Sequence, residues 1–511
     1  MEYSERIRRD VLKGMLQRYS MVEHQLHSMD HFMLQMVPSI IRENENVVVK
    51  SKKFKRCHVI RFGKVAVAKP TIRTAHGTIR PIKPQECRQR GLTYSSNIYV
   101  DTVHEIYDNS VVSSNLEEST DDLFIGGEVI SGEKSINTYG RLLTRKTFRE
   151  LLLCEMPVMV NSAMCYLPED RDPIANGEDL YDYGGYFIVN GNEKTILPQM
   201  TLRNNFPYVR HEKRNQRFAL TCEIRSWNER KIRSTSTLYL RVTRVKSDKL
   251  PQILVTVPFI KYAIPLGAIF RLIGIQSADD MFQCIACENK VPEIEFLICG
   301  VLRDRVKDGY MDCSIDDLCD KIGKKGTQEQ TRDKRIRYVK HIFHNEFLPH
   351  MGLARTAEIR KAKALYLGRA VLKTLLVFKG VLIEDDRDHI ANRRCLTSGM
   401  LCGIQFRQQW RMFLKALNII VHRYIENGKF FSVNELISSK RMTSGMKYAL
   451  STGNWGERKG ASTMKGVAQM LTKTTSMAAL SHSRRINTPL NRDGKAPEPR
   501  QLPSSFKGLL W

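Results

Sequence analysis

Four carboxylates stand within five positions at Glu384-Asp385-Asp386-Arg387-Asp388, followed by His389. Two-metal phosphoryl transfer needs convergent carboxylates to hold its cations, so this run is the first candidate for chemistry. Adjacent side chains on a helix or strand do not face one point, and Arg387 interrupts the run. An ion-pairing and capping role is therefore expected. A second candidate is Cys284-x-x-Cys287, which with Cys299 and Cys313 has the makings of a four-thiolate zinc site. The segment between them, Val291 to Ile298, reads as helix or buried strand, and that favours cysteines packed as small hydrophobes. Walker A, dinucleotide-glycine and HExxH patterns are absent from the sequence.

The third candidate is a basic segment near the C-terminal end of the sequence. Arg458, Lys459, Lys465, Lys473, Arg484, Arg485, Arg492, Lys495, Arg500 and Lys507 face only Glu457, Asp493 and Glu498. Glycine and small hydroxyl residues lie between them and let backbone come close to a phosphate chain. Fixed positive charge and hydrogen-bond donors, without a base-reading pattern, suit a sequence-independent grip on nucleic acid. Apolar stretches such as Val467 to Leu471 and Met477 to Leu480 distinguish it from a plain solvated tail.

The whole chain carries the same bias. Its 511 residues hold 81 Lys+Arg against 54 Asp+Glu, a formal charge of +27. A polyanionic partner relieves the self-repulsion such an excess creates, and nucleic acid is the commonest one. The length calls for two to four domains. Every apolar run is broken by charge well short of the roughly 20 residues a membrane span needs. The charged start, Met1 to Arg6, is no secretory signal, and the scattered cysteines fit a reducing compartment. A cytosolic or nuclear protein is expected, not a secreted one.

The elements that must position these residues form an α+β, multidomain pattern. Apolar residues recur at helical spacing from Val11 through Met15, Tyr19, Val22, Leu26, Met29, Phe32 and Met36 to Val37, predicting core-facing helix that Pro38 stops or kinks. Alternation over Val59 to Val67 predicts strand and turn, and residues 108–138 read as a polar surface loop. Strands are expected over Thr237–Val242 and Ile253–Val257, and helices over Asp333–His344, Ala362–Phe378 and Lys465–Ser481. No period of 20 to 50 residues recurs.

With these residues in view, the sequence resembles the eukaryote-type second-largest subunits of multisubunit DNA-directed RNA polymerases. Thr443 to Gly456 (TSGMKYALSTGNWG) is similar to the start of their fork, and Ser481 to Pro489 (SHSRRINTP), Arg492 to Lys495 and Pro499 to Leu502 continue it. Gly184 to Lys194 (GGYFIVNGNEK) is similar to the family's GGYFIINGxEK element. Pro84 to Arg88 with Leu92 to Ser96 resembles its protrusion, and Gly323 to His350 its lobe. The resemblance implies a protrusion over 1–199, an inserted lobe over 200–395, a return to the protrusion over 396–441 and a fork over 442–511. It also supports a structural role for the acidic run, which recurs near the lobe-to-protrusion junction.

By the same resemblance, two fork loops, about Gly453 to Ser462 and Asn487 to Lys495, would sit beside the RNA–DNA hybrid. The nucleic-acid-facing residues would be Arg458, Lys459, Lys465, Gln469, Arg484, Arg485, Asn487, Arg492, Asp493, Lys495 and Arg500. No cofactor is expected on this chain, because the family's catalytic Mg2+ is held by the largest subunit. Partners would be that largest subunit, a C-terminal half of the second-largest subunit, other polymerase subunits, and DNA template and RNA, with no membrane. The family pattern runs on into a CPAETPEG-type motif that this sequence lacks. Two expectations follow: a split subunit completed by a second polypeptide, or a truncated, non-catalytic nucleic-acid-binding or assembly-interfering protein. The setting would be nucleus or cytoplasm, or host cytoplasm or virion for a viral protein.

Overall fold

The computed structural model describes residues 2–43, 46–51, 56–74, 76–108, 141–169, 174–179, 181–212, 217–228, 235–244, 251–286, 292–303, 313–326, 331–354, 356–456 and 464–488. The acidic loop expected over 108–138 falls almost wholly outside them. The chain is α+β and divides into two compact units. One is built from residues up to Thr201 and again from Cys395, the other from Leu202 to Arg394.

In the first unit, long alternating segments make an antiparallel sheet in the order Asn46–Ser51, Arg56–Val67, Ser95–Asp108, Arg141–Pro157. Its apolar face is covered by the 29-residue helix Ser398–Glu426. Phe62 meets Trp410 edge-on at 4.9 Å between ring centroids, and Trp410 stacks on Phe413 at 5.3 Å. The helix Ser439–Thr452 lies along the Arg141–Pro157 strand, where Thr443 Oγ1 accepts from the Glu155 N–H at 2.9 Å.

Helix Glu23–His31 packs against the start of the long helix. A Cβ at Gly399 would lie 1.9 Å from the Ser28 carbonyl oxygen, so only glycine permits that crossing. Pro38 does not stop the helical run. The turn before it widens into a π-helix over Phe32–Met36, where the Val37 N–H reaches back to Phe32 O, and helix then continues over Val37–Glu43. The wider turn absorbs the missing proline donor. From Val22 onward the predicted apolar stripe is buried as expected, but Val11, Met15 and Tyr19 are exposed. Among the described residues no core lies beneath helix Glu2–Arg18.

The second unit is a five-stranded antiparallel sheet in the order Pro207–His211, Phe218–Ser226, Ser236–Thr243, Ile253–Thr256, Ile264–Pro265. The predicted strands at Thr237–Val242 and Ile253–Val257 lie within it, the second ending at Thr256. Helices including Leu266–Ile273, Ala278–Ala286, Ile315–Gly326, Arg332–His341 and Ala357–Phe378 bury one face, around Leu240, Phe270, Leu318 and Leu367. Thr356 caps the last of these by accepting from the Ile359 N–H. At Gly368 that helix passes against the backbone of Ala278–Ala286, and a Cβ there would lie 1.9 Å from Cys284 O. Lys363, on the same helix, is 1% exposed and donates to Phe347 O at 2.6 Å, while burial pushes its pKa down to about 8.

Two outcomes test this packing. Gly368→Ala should destabilise by about 2 kcal/mol, the cost of overpacking a close helix crossing, with hydrogen-exchange protection lost first between residues 202 and 394. Lys363 binds its proton less readily folded than unfolded, so stability should rise with pH between about 8 and 10.5. Lys363→Met should flatten that rise in denaturation curves taken across the window.

Candidate nucleic-acid interface

The basic segment is held by a strand far away in sequence. Gly184 and Gly185, both at positive φ (73° and 80°), turn the chain into the hairpin Phe187–Val189 / Asn192–Ile196, which itself turns at Asn190-Gly191. The exposed edge of Asn192–Ile196 then takes Ala468–Met470 antiparallel, with Gln469 opposite Thr195. Leu197 N–H donates to Val467 O at 2.9 Å and Leu471 N–H to Glu193 O at 3.0 Å, extending the ladder at both ends. The helix expected over Lys465–Ser481 is therefore a strand in its first part, and helix runs only over Ser476–Ser483. A waiting strand edge outweighs the local helical pattern.

Upstream, helix Ser439–Thr452 ends at Gly453, left-handed at φ 74°. A Cβ on Gly453 would lie 2.4 Å from Ala468 O, so the glycine also admits the incoming strand. Trp455 is 1% exposed, and its indole N–H donates to Leu401 O at 2.8 Å. Its backbone exchanges two 2.8 Å hydrogen bonds with Met464. Arg458 and Lys459, between the two in sequence, lie outside the described residues. So do Arg492, Asp493, Lys495 and Arg500. Lys465 follows the bridge and is exposed.

Gln469 is half-buried. Its Nε2 donates to Gly466 O at 3.4 Å and its Oε1 lies 3.2 Å from His482 Nε2. On the other side of the ring, the Thr472 N–H donates to His482 Nδ1 at 3.1 Å. The two bonds together select the neutral tautomer with its proton on Nε2. Burial and the nearby Arg485 guanidinium lower the His482 pKa, which agrees. Nothing in the linear order of residues marks His482 for this role, since its partners lie 10 and 13 positions away on another element.

Arg484 and Arg485 leave the helix end exposed. Arg484 Nη1 leans 3.3 Å from Met21 O, and Arg485 stands beside His482. Gln25, fully buried, fixes this end by donating to both Ile196 O (3.0 Å) and Ser483 O (3.2 Å). Asn487 is tied inward: its Nδ2 donates to Gln199 Oε1 at 3.1 Å, its N–H to Pro198 O, and its O accepts from Met200 N. Lys465, Gln469, Arg484 and Arg485 thus lie on one continuous segment, with Gln469 and Arg485 meeting at His482, while the Asn487 amide serves the fold.

Lys473 belongs to the basic run but is not available to a phosphate. Its Nζ donates to Glu193 Oε1 (2.7 Å), Asp182 Oδ2 (3.1 Å) and Tyr186 OH (3.3 Å). Arg88 joins the same network through Glu193 at 2.8 Å, Glu178 at 2.7 Å and Tyr186 OH at 2.7 Å. Burial alone would raise the Asp182 pKa, but hydrogen bonds from Tyr186, the Gly184 N–H and Lys473 bring it below the ordinary value. Two cations are matched here by three carboxylates, a balance invisible in the basic run itself.

The acidic run spreads out. Asp385 takes Lys373 at 2.7 Å and the Val209 N–H at 2.8 Å, and Glu384 accepts from His211 N–H. Asp386 accepts from the Asp388 N–H, Asp388 pairs with Arg393, and Arg387 reaches Glu223. The carboxylates go to different partners rather than to one point. Of the zinc candidates, Cys284 is buried, Cys313 half-buried and Cys299 exposed, while Cys287 lies outside the described residues. Among the described residues no helix is long and apolar enough to cross a membrane.

The family model described as RNA polymerase beta subunit matches residues 20–444. The "DNA-directed RNA polymerase II subunit 2" of Arabidopsis thaliana is 30% identical over 517 residues, covering 98% of this chain and 41% of that protein. The "DNA-directed RNA polymerase subunit Rpo2N" of Methanococcus vannielii is 28% identical over 505 residues, covering 98% of this chain and 90% of that protein. A "Probable DNA-directed RNA polymerase II subunit RPB2 homolog" of Invertebrate iridescent virus 6 is 28% identical, with 99% and 43% covered. The chain thus spans about two fifths of the length of the eukaryotic and viral relatives, and most of the archaeal one.

His482→Ala should leave the Thr472 amide without its acceptor. Its hydrogen exchange should then speed about tenfold, in line with about 1.4 kcal/mol for one buried hydrogen bond. His482→Asn, which keeps an acceptor near the Nδ1 position, should restore part of the protection. Equal Thr472 exchange in wild type and His482→Ala would show that the ring does not hold this turn.

Proposed function

The chain belongs to the RNA polymerase beta subunit family, and on that premise we propose that it forms one wall of the DNA–RNA cleft in a multisubunit polymerase. It contributes to template-directed RNA synthesis as a nucleotidyltransferase subunit, active only in the assembled complex. The unit of residues 2–201 and 395–488 corresponds to protrusion and fork, and residues 202–394 to the lobe. The expected partners are a largest subunit, the rest of the second-largest subunit, other polymerase subunits, and template DNA with its RNA. Mg2+ would be held by the largest subunit, where it would stabilise charge on the transferring phosphate. The spread carboxylates of Glu384–Asp388 suit ties between backbone and cations, not a metal centre. The setting is nuclear or cytoplasmic, including host cytoplasm or virion for a viral source.

The observation that carries this reading is the exposed guanidinium pair Arg484–Arg485, on the same segment as Gln469 and Lys465, a segment anchored by a sheet edge and a buried Gln25. An A-form-like hybrid is gripped through its phosphates and shape rather than its base edges. Two fixed cations with few internal partners offer that grip. Arg458, Lys459, Arg492, Lys495 and Arg500 would add to its positive charge, and Asp493 would lie among them.

Reversing Arg484 and Arg485 to Glu should shorten the lifetime of elongation complexes and slow elongation, with both units still folded by circular dichroism and proteolysis. The slope of log stability against log salt should become shallower by about 1 to 2, close to one for each phosphate no longer neutralised. Transcription unchanged in a reconstituted polymerase would remove these arginines from the hybrid. Salt-sensitive nucleic-acid binding by the isolated chain, with no polymerase subunit associating, would favour a non-catalytic binding protein instead.

A further inference from the structure

Helix Ser398–Glu426 is apolar on more of its surface than the sheet beneath it requires. Phe406, Trp410, Phe413, Leu417 and Val421 recur at helical spacing and are buried. A helix that covers one sheet is expected to be polar on the side turned away. Here Met412, Ala416 and Ile419 make a second apolar row on the adjoining face, with Met412 44% and Ile419 61% exposed. Helix Ser439–Thr452 and the short helix Val433–Leu436 border that face, and the three enclose a groove of about 510 Å³. Phe413, Ala416, Leu417, Ile420 and Leu436 form its apolar floor. Ala416 gives it depth, as a short side chain one turn from Met412 on one side and from Ile420 on the other.

The polar part of the lining is Ser438, Ser444, Lys440 and Arg441, two cations with no carboxylate between them. Both cations are exposed, and no carboxylate of the described residues pairs with either. Lys415 stands next to Ala416, and Arg423 one turn after Ile419, both of them exposed. Glu435 on the short helix is exposed and outside the lining.

This chemistry narrows the occupant. Nucleic acid needs a row of phosphate contacts or an open aromatic face. Two cations at the edge of an apolar floor give few of the first. Phe413 gives none of the second, being 4% exposed and stacked on Trp410. Two helices side by side accept a third, whose ridge of side chains fills the space between them. Apolar residues at i, i+4 and i+7 of such a visitor would meet the floor, and carboxylates on its flank would meet Lys440 and Arg441.

We propose that the groove between helices Ser398–Glu426 and Ser439–Thr452 docks an acidic amphipathic helix of another protein. The floor supplies the affinity, and the two cations select the sign of the partner's charge. The groove shares no residue with the basic segment from Lys465 to Arg485, and the proposal does not depend on the polymerase reading.

The test uses the full chain, with the subunits it holds, purified from its source through a tag at its N-terminus. Two labelled helical peptides serve as probes in fluorescence anisotropy. Both carry leucine at i, i+4 and i+7, one with glutamate on its flanks and the other with lysine. The glutamate peptide should bind about tenfold tighter at low salt, and the gap should close as salt screens the cations. Lys440→Glu with Arg441→Glu should invert that preference, whereas Lys64→Glu, exposed on strand Arg56–Val67, should leave it unchanged. Ala416→Trp, which fills the groove, should weaken both peptides about tenfold. Equal affinity for the two peptides, binding by neither, or indifference to Ala416→Trp would overturn the proposal. Binding of a single-stranded oligonucleotide that the same charge reversal abolishes would give the surface to nucleic acid and overturn it too.

Discussion

The site depends on one strand, Asn192–Ile196, whose two edges take segments from opposite parts of the chain. One edge pairs with Phe187–Val189, its neighbour in sequence, and the other with Ala468–Met470. Without that second pairing, Gln469 has no fixed height over the sheet and the turn at Thr472 has no reason to meet His482. Gln25 makes the arrangement cooperative by donating to Ile196 and to Ser483 from a third segment. Breaking any one of these three connections loosens the support of the others, as in buried polar networks generally.

The electrostatics divide into charge that is used internally and charge that is left over. Arg88 and Lys473 are consumed by Glu178, Glu193, Asp182 and Tyr186, and this network stitches the Gly184–Lys194 element to the basic segment. Lys373, Arg387 and Arg393 are consumed in the same manner by the acidic run and Glu223 in the second unit. Among the described residues, Lys465 and Arg485 are exposed, and Arg484 Nη1 reaches the Met21 carbonyl and thioether. Formal charge overstates what a phosphate would meet, because desolvated, paired cations exert little field outside.

Glycine decides where segments may approach. Gly453, Gly399 and Gly368 each sit where a Cβ would collide with backbone, at the incoming strand and at two helix crossings. These positions have no slack, since backbone cannot move aside as a long side chain can. The wide turn at Phe32–Met36 is the opposite case, a local distortion that lets helix pass Pro38.

The sequence by itself determined the α+β class, the family and the basic character of the segment from Lys465 to Arg485, because composition, long motifs and short-period alternation are local properties. It also made the acidic run at Glu384–Asp388 suspect as a metal site, since neighbouring side chains cannot converge. Only the tertiary structure decided which of the described cations are ion-paired. Lys473 and Arg485 look alike in sequence, yet one is neutralised by carboxylates nearly 300 positions away and the other is exposed. It likewise made strand of Ala468–Met470 and left Ile7, Val11 and Met15 bare. Strand pairing, ion pairing and burial are set by what lies opposite in space, and linear spacing carries no record of it.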